Sequence, residues 1–160
     1  RIAPFGLVDD PVRCPCCAAL PVASITRLAA EGSGLRYLAC SLCGTQWPYV
    51  RIKCTRCQGT RGISFQSLVR DDASATDDAA APAVQAECCE PCGHYLKIVH
   101  MEKDLQVEPL ADDLASLGLD MLLGEAGLAR HGANPLLVFG EGDPGPDASP
   151  PDPVPDPRGR

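Results

Sequence analysis

Short apolar runs separated by turn residues characterise the first hundred positions of the chain. Residues 22–28 alternate partly between apolar and polar side chains, and residues 35–39 do so again after a glycine-containing turn. Two such runs joined by a turn of this kind are typical of a β-hairpin. Residues 46–53 also alternate, which predicts a further strand with Trp47 and Tyr49 as the small core of this unit.

The same plan occurs a second time further along the chain. Residues 63–69, 84–87 and 95–99 predict three more strands, so a second hairpin unit follows the first. Residues 71–82 are acidic, rich in alanine and without apolar periodicity, and we expect them to form a mobile loop between two of these strands. The chain is therefore interpreted as an internal repeat of two small β units.

The apolar period changes after Pro109 and predicts one C-terminal helix. Proline suits the first helical position, and Asp112 and Asp113 complement the positive end of the helix. Gly132 and Pro135 are expected to end it. The predicted buried stripe consists of Leu110, Leu114, Leu117, Met121 and Leu128, with Leu122 nearby.

Ten cysteines supply the candidate chemistry, and eight of them form four Cys-x-x-Cys pairs. Two residues between cysteines let one turn direct both sulfurs at the same ion, and a second turn completes a tetrahedron. Pairing the turns in sequence order predicts two metal sites with four thiolates each. The candidate ligands are Cys14, Cys17, Cys40 and Cys43 in the first site, and Cys54, Cys57, Cys89 and Cys92 in the second.

The predicted cofactors are two metal ions, either iron or zinc, because four sulfurs suit both metals. The chain has only seven aromatic residues, so large apolar side chains supply little of a core. Binding of a structural ion contributes on the order of 10–16 kcal/mol of folding free energy, which makes it the expected stabiliser. Cys16 and Cys88 are left over, and we interpret them as small structural thiols in preference to redox groups.

These patterns divide the chain into five segments and predict its fold class. Residues 1–12 are a lead-in that we expect to be truncated, because no methionine starts the sequence. Residues 13–53 and 54–104 are the two ribbons, residues 105–140 hold the helix, and residues 141–160 are a proline-rich tail expected to be disordered. The predicted fold is a small metal-stabilised α+β protein with two tandem rubredoxin-like or zinc-ribbon modules followed by one C-terminal helix.

Cysteine usage also bears on the cellular setting. Ten cysteines are compatible with a secreted disulfide scaffold, but we find neither a signal peptide nor an apolar run long enough to span a bilayer. Pairs two residues apart suit a shared metal better than cross-links between distant strands. We therefore expect a cytoplasmic protein without membrane insertion.

Charge is distributed unevenly along the chain. Residues 13–70 carry eight Lys or Arg against one acid, whereas residues 71–140 carry three against thirteen. Arg51, Lys53 and Arg56 are the candidate partner-binding residues, because they form a modest basic face that suits an acidic protein surface. The acidic second half makes nucleic-acid binding, a common role of zinc ribbons, the less favoured alternative.

No motif of the sequence supports catalysis. Both predicted metal sites are closed by four protein ligands, and neither a Ser/His/Asp arrangement nor a phosphate-binding glycine loop is apparent. The chain is therefore not expected to be an enzyme.

Several longer segments of the sequence also resemble those of a known family, and they occur in the same order along the chain. The matching segments include Gly34-Leu-Arg-Tyr-Leu-Ala-Cys-Ser-Leu-Cys-Gly-Thr45, Tyr49-Val-Arg-Ile-Lys-Cys54, Ala86-Glu-Cys-Cys-Glu-Pro-Cys92, Val107-Glu-Pro-Leu-Ala-Asp-Asp-Leu-Ala-Ser116 and Asn134-Pro-Leu136. Together with the cysteine pairs they make the chain similar to the formate dehydrogenase accessory proteins of the FdhE type. The sequence departs from that pattern at Ala18, where glycine is usual after the first pair.

The resemblance implies an N-terminal helical domain, which this sequence does not contain, followed by two rubredoxin-like or ribbon modules. It further implies a cytoplasmic accessory or assembly factor that carries iron and binds the catalytic subunit of respiratory formate dehydrogenase. A rubredoxin-like iron redox protein or a thiol-based maturation factor is the alternative function. We also expect that the chain can associate with a second copy of itself.

Overall fold

The computed structural model describes residues 11–28, 34–68 and 82–137. The strands are β1 (Pro21–Arg27), β2 (Leu35–Cys40), β3 (Gln46–Pro48), β4 (Ile63–Gln66), β5 (Val84–Cys89), β6 (His94–His100) and β7 (Ala129–Arg130). The helices are α1 (Pro109–Ala115), α2 (Leu117–Glu125) and a 3-10 turn at Pro135–Leu137.

Seven strands of the described chain form one sheet in the order β3-β2-β1-β6-β5-β4, with β7 beside β6. The predicted hairpins are present as the antiparallel pairs β1–β2 and β5–β6. A parallel pair between β1 and β6 joins the two units, with Ser24 opposite Ile98 and Thr26 opposite His100. The predicted fold class of two ribbon modules with helical structure after them is confirmed, and in addition the ribbons share a continuous sheet.

The helical region begins as predicted but is divided into two helices. Glu108 caps α1 by accepting a hydrogen bond from the Ala111 amide at 2.7 Å, while Asp112 accepts one from the Glu108 amide at 2.6 Å. Ser116 leaves the helical conformation with φ −110° and ψ 31°, and its hydroxyl donates to the Asp112 carbonyl at 2.7 Å. The single predicted helix is therefore interrupted at Ser116.

The predicted buried stripe is wrong at Leu117, Met121 and Leu122, whereas Leu110, Leu114 and Leu128 are half-buried. Met121 and Leu122 are exposed, whereas Leu119 and Leu123 are buried against Tyr95 of β6. A stripe extrapolated at 3.6 residues per turn assumes one straight axis, and the non-helical Ser116 changes which face of the second helix meets the sheet.

A buried ionic network attaches the two helices to β6. The Lys97 ammonium is almost fully buried, and it lies 2.6 Å from Asp120 and 3.4 Å from Asp113. Arg130 pairs with both aspartates, and the Tyr95 hydroxyl donates to Asp120 at 2.7 Å. Asp113 is therefore a buried partner of two cations, beyond its predicted role at the helix end.

The core of the first unit is the predicted one. Trp47 is buried with Leu38 and Leu96, Tyr49 packs against this cluster, and the Trp47 indole donates to the Pro11 carbonyl at 2.9 Å. The strand predicted over residues 46–53 is shorter than expected, because β3 ends at Pro48. The backbone carbonyls of residues 50, 51 and 53 accept hydrogen bonds from the Arg36 side chain and not from a neighbouring strand.

Some predictions lie outside the described residues. These are the predictions of a mobile acidic loop, for which only residue 82 is described, of a disordered tail at residues 141–160, and of the lead-in before residue 11. The segment boundaries also stay predictions. Within the three described ranges, no helix has the length and apolar character that crossing a bilayer requires.

Candidate metal centres

The first candidate centre, site 1, lies where the turns before β1 and after β2 meet. Cys14 and Cys17 belong to the turn before β1, Cys40 ends β2, and Cys43 follows in the next turn. The sulfurs of Cys17 and Cys40 are 3.3 Å apart, those of Cys14 and Cys43 are 3.5 Å apart, and those of Cys17 and Cys43 are 3.6 Å apart. All four sulfurs lie within 4.8 Å of one another.

The second candidate centre, site 2, repeats this arrangement in the other half of the sheet. Cys54 and Cys57 form the turn before β4, Cys89 ends β5, and Cys92 lies in the turn before β6. Sulfur distances are 3.6 Å between Cys54 and Cys92 and 3.7 Å between Cys57 and Cys89. The structure thus brings the eight predicted thiols together in two sets of four, and their role as ligands stays a prediction.

Both sets fit a tetrahedral ion. Metal–sulfur bonds of about 2.3 Å separate the sulfurs of such an ion by roughly 3.8 Å, close to the distances in both sites. Backbone amides point at the first sulfur of several pairs: the Cys16 amide lies 3.4 Å from Cys14, and the Arg56 amide 3.3 Å from Cys54. Such donors partly neutralise thiolate charge and orient the sulfur. An all-sulfur set suits zinc or iron and closes the coordination sphere.

One backbone turn is used four times to build the sites. The residue after the second cysteine of each pair is left-handed, with φ of 60° at Ala18, 69° at Gly44, 61° at Gln58 and 65° at Gly93. The amides of Ala18, Gln58 and Gly93 each donate to the carbonyl of the first cysteine, at 2.8, 3.1 and 2.9 Å. Glycine adopts this conformation without a steric penalty, which explains why glycine occupies positions 44 and 93.

The sulfurs within each site differ in pKa, and exposure alone does not order them. The Ala19 amide lowers the pKa of the exposed Cys17, but the hydrogen bond with Cys40 and desolvation raise it, to about 12. Hydrogen bonds from the hydroxyl and the amide of Thr45 lower the pKa of Cys43 to about 6, and the Gly59 amide lowers the pKa of Cys57 to about 7. Burial raises the pKa of Cys89 to about 12 and also raises the pKa of Cys40 and Cys54. In each site one exposed sulfur, Cys43 or Cys57, therefore has a lower pKa than an ordinary cysteine.

All ten cysteines lie in the described residues and are free thiols, so the disulfide alternative receives no support. Cys16 is exposed and stands outside both sets of four. Cys88 is buried with Leu119 and Leu123, and burial raises its pKa. The interpretation of Cys88 as a small buried thiol agrees with this position.

The basic residues singled out in the sequence lie around the connection between the two ribbons. We call residues 49–53 the linker. Arg51 and Arg56 are exposed and Lys53 is half-buried. Their role in partner binding stays a prediction.

Sequence reasoning missed a buried ion pair next to the linker. The Arg36 guanidinium of β2 lies 2.8 Å from Glu87 of β5, and both side chains are buried. Arg36 also donates to the carbonyls of residues 50, 51 and 53 and stacks over the Tyr49 ring at 5.3 Å. A charged residue in an alternating strand is normally assigned to the solvent face, so the pattern carried no signal for this contact.

Comparison with known proteins identifies the family. Models of the FdhE central domain and the FdhE C-terminal domain match residues 13–51 and 52–137. A protein FdhE homolog of Cronobacter sakazakii is 46% identical over 130 residues, which are 81% of this chain and 39% of that protein. The protein FdhE of Salmonella choleraesuis is 45% identical over an alignment of the same extent.

A solved structure agrees with these matches. The crystal structure of the FdhE protein from Pseudomonas aeruginosa has a TM-score of 0.67 and 41% sequence identity, covering 77% of this chain and 40% of that one. The chain spans about two fifths of the length of the relatives it matches. Two consecutive family models, these relatives and this shared fold together show that the chain belongs to the FdhE family.

Proposed function

We propose that this chain acts as a non-enzymatic accessory factor in the formation of active formate dehydrogenase. Membership of the FdhE family supports this role, together with the resemblance to formate dehydrogenase accessory proteins. The observation that carries the proposal is the pair of four-thiol sites at the turns of one continuous sheet. This arrangement suits a rigid binding surface, because both sites lack an open coordination position for a substrate.

The metal ions act as structural cross-links in this proposal. Each ion would be held by the four cysteines of its site and would join the two turns of one ribbon. Binding free energy of about 10–16 kcal/mol per structural ion is available only to the folded chain. The metal therefore maintains the surface that a partner recognises.

We infer that the partner is the catalytic subunit of formate dehydrogenase and that Arg51, Lys53 and Arg56 contact it. Arg51 and Arg56 are exposed, and residues 34–68 contain five Lys or Arg and no aspartate or glutamate. An acidic surface of the partner would be attracted to this region.

A pull-down with the catalytic subunit tests the proposal. Reversing the three charges to glutamate should abolish capture while two metal ions per chain remain bound. The control variant Arg27→Glu reverses an exposed charge at the end of β1 and should retain capture. Full capture by the triple variant would remove this surface from the proposal.

Assembly activity is tested separately in cells. Residues 13–137 would replace the matched region of the Cronobacter sakazakii homolog in a strain that lacks its own accessory protein. Restored formate dehydrogenase activity supports the proposed role, and a folded, metal-loaded chimera without activity contradicts it.

Iron-based electron transfer is the second candidate function. Cys17 and Cys43 in site 1 and Cys57 in site 2 are exposed, so an ion held there would lie near the molecular surface. Metal quantification and visible spectroscopy distinguish the two functions, because a colourless zinc protein that retains accessory activity would exclude electron transfer. We place the protein in the cytoplasm, where free thiols of this density persist.

A further inference from the structure

β4 is the last strand at one edge of the sheet formed by the described residues. Among the described residues it pairs with β5 and with no other strand. The Glu90 amide donates to the Gly62 carbonyl at 3.0 Å, so the backbone of residue 62 faces β5. Backbone groups alternate along an antiparallel strand, and those of Ile63 and Phe65 therefore face outward.

A leucine-lined groove lies on one face of this edge, between β4 and α2. We call it the helix-side groove; it encloses about 430 Å³. The alternate β4 residues Ser64 and Gln66 line it, and the buried Cys88 lies at its floor. Its apolar lining comprises Leu68, Leu119, Leu122, Leu123 and Leu128. An apolar side chain of leucine size would bury its surface in this space.

A second groove lies on the opposite face, between β4 and the linker. We call it the linker-side groove; it encloses about 280 Å³. Phe65, which is 43% exposed, and Ile52 supply its apolar surface, and Arg51 and His100 supply its polar groups. The two grooves receive alternate β4 side chains, as successive residues of a strand point to opposite faces.

We propose that an extended segment of a partner protein adds to the sheet beside β4. Its backbone pairs with the outward groups of Ile63 and Phe65, its apolar side chains enter the helix-side groove, and its carboxylates face Arg51. The inference rests on the proposed function, since it specifies how a partner is held.

Charge complementarity selects an acidic segment. Residues 34–68 contain five Lys or Arg and no acid. Arg36 is paired with the buried Glu87. Arg51 lines the linker-side groove, whose lining residues include no acid, whereas Glu90 lines the helix-side groove. Carboxylates of an added strand are therefore favoured on the linker side and disfavoured on the helix side. An added strand that alternates leucine with glutamate therefore matches both faces, and a leucine–lysine strand matches only one.

The test uses a fluorescein-labelled octapeptide of alternating leucine and glutamate, measured by fluorescence anisotropy with the metal-loaded chain. A leucine–lysine octapeptide and a leucine–glutamate octapeptide with its leucines in one block are the controls. Both controls should bind at least about tenfold more weakly than the alternating acidic peptide. Binding should also weaken as salt is raised. Equal binding of all three peptides would overturn the proposal.

Two variants examine the edge. Ile63→Pro removes one outward N–H while leaving the bonds to β5, and Leu122→Ser removes exposed apolar surface from the helix-side groove that receives the leucines of the peptide. Each should weaken binding at least about tenfold, whereas Leu105→Ser, at an exposed position outside both grooves, should not. The charge-reversed Arg51→Glu/Lys53→Glu/Arg56→Glu chain should prefer the leucine–lysine peptide.

Hydrogen exchange of the unmodified chain gives a readout that does not depend on variants. The amides of Ile63 and Phe65 should exchange more slowly when the alternating acidic peptide is bound, because they become paired. Unchanged exchange with peptide bound would overturn strand addition. Concentration-dependent dimerisation that Ile63→Pro abolishes would assign the edge to a second copy of the chain and would likewise overturn the proposal.

The inference can fail while the proposed function stands. If Ile63→Pro and Leu122→Ser retain full capture of the catalytic subunit, the edge is not the docking site and the accessory role is unaffected. Loss of capture in both, with two ions still bound and Leu105→Ser unaffected, supports the edge as the docking site.

Discussion

At the scale of single residues, the four metal-site turns use one conformation with different residue types. Gly44 and Gly93 adopt their left-handed backbone freely, whereas Ala18 and Gln58 adopt it with a side chain present. A left-handed residue other than glycine costs roughly 1–2 kcal/mol. The departure at Ala18 that is visible in the sequence is therefore a site of local strain in the structure.

Ala18→Gly should stabilise the metal-loaded chain, and Gly44→Ala should destabilise it. We expect each effect to be about 0.5–1 kcal/mol, because glycine also has greater freedom in the unfolded chain. Denaturant midpoints at constant metal content measure the effects. A Cβ at Gly44 meets no atom within 4 Å, so steric overlap with other residues does not contribute to its effect.

Gly124→Ala is the matched control for this pair. It also adds a Cβ into open space, but its backbone is not left-handed, so it should stabilise α2 slightly. Equal effects of Gly44→Ala and Gly124→Ala would contradict the role of the left-handed turn.

His100 should remain neutral to lower pH than an exposed histidine. Burial lowers its pKa from 6.5, an effect that the nearby Glu102 opposes and Lys103 and Arg51 assist. The ring is held between the Thr26 hydroxyl at 3.0 Å and the Gln85 side-chain oxygen at 2.9 Å. A lowered folded-state pKa stabilises the fold above the unfolded value and loses that contribution as pH falls through the folded value.

NMR titration of the imidazole and unfolding midpoints between pH 7.5 and pH 5 test this expectation. The difference in stability between the parent chain and His100→Gln should shrink as the pH falls below 6.5. An imidazole that titrates at 6.5 or above would contradict it.

At the scale of elements, partial alternation and flanking turns predicted the strands, although β1 and β6 are buried on both faces of the sheet. The sequence assigned Asp113 to the positive end of the helix, and it did not indicate the buried pairs of Asp113 with Lys97 and Arg130. It also extended β3 beyond Pro48, where Arg36 instead binds the linker carbonyls. These contacts join residues far apart in sequence, and no local period encodes them.

Arg36→Met should destabilise the chain by about 3–5 kcal/mol, because it leaves Glu87 buried without its partner. The double variant Arg36→Met/Glu87→Met should recover part of this loss, since a buried apolar pair replaces a buried charge. Denaturant unfolding measures both variants. A double variant that is as unstable as the sum of its single variants would show that the two charges do not interact.

At the scale of the whole molecule, cysteine spacing predicted two four-sulfur clusters. Each Cys-x-x-Cys turn directs both of its sulfurs at one ion, and a hairpin brings a second such turn beside it. The joining of both ribbons in one sheet was not predictable in the same way. The two ribbons are joined by the parallel pair between β1 and β6. These strands are separated by more than sixty residues, and no sequence motif indicates that they pair. The two metal sites therefore belong to a single folding unit even though each is local in sequence.

Loss of one metal site should consequently weaken the half of the molecule that contains the other. Trp47 is the only tryptophan of the chain and packs beside Cys14 and Cys40 of site 1, so its fluorescence reports on the first ribbon. Cys89→Ser removes a sulfur from site 2 and should lower both the metal content, from two ions to one, and the unfolding midpoint seen by Trp47. A structural ion contributes about 10–16 kcal/mol of folding free energy, and part of this is lost with site 2. We therefore expect the free energy of unfolding reported by Trp47 to decrease by several kcal/mol. Cys16→Ser, which alters a thiol outside both sites, should keep two ions and the parent midpoint. If Cys89→Ser left the Trp47 midpoint unchanged, the ribbons would fold independently, and the shared sheet would not couple the two metal sites.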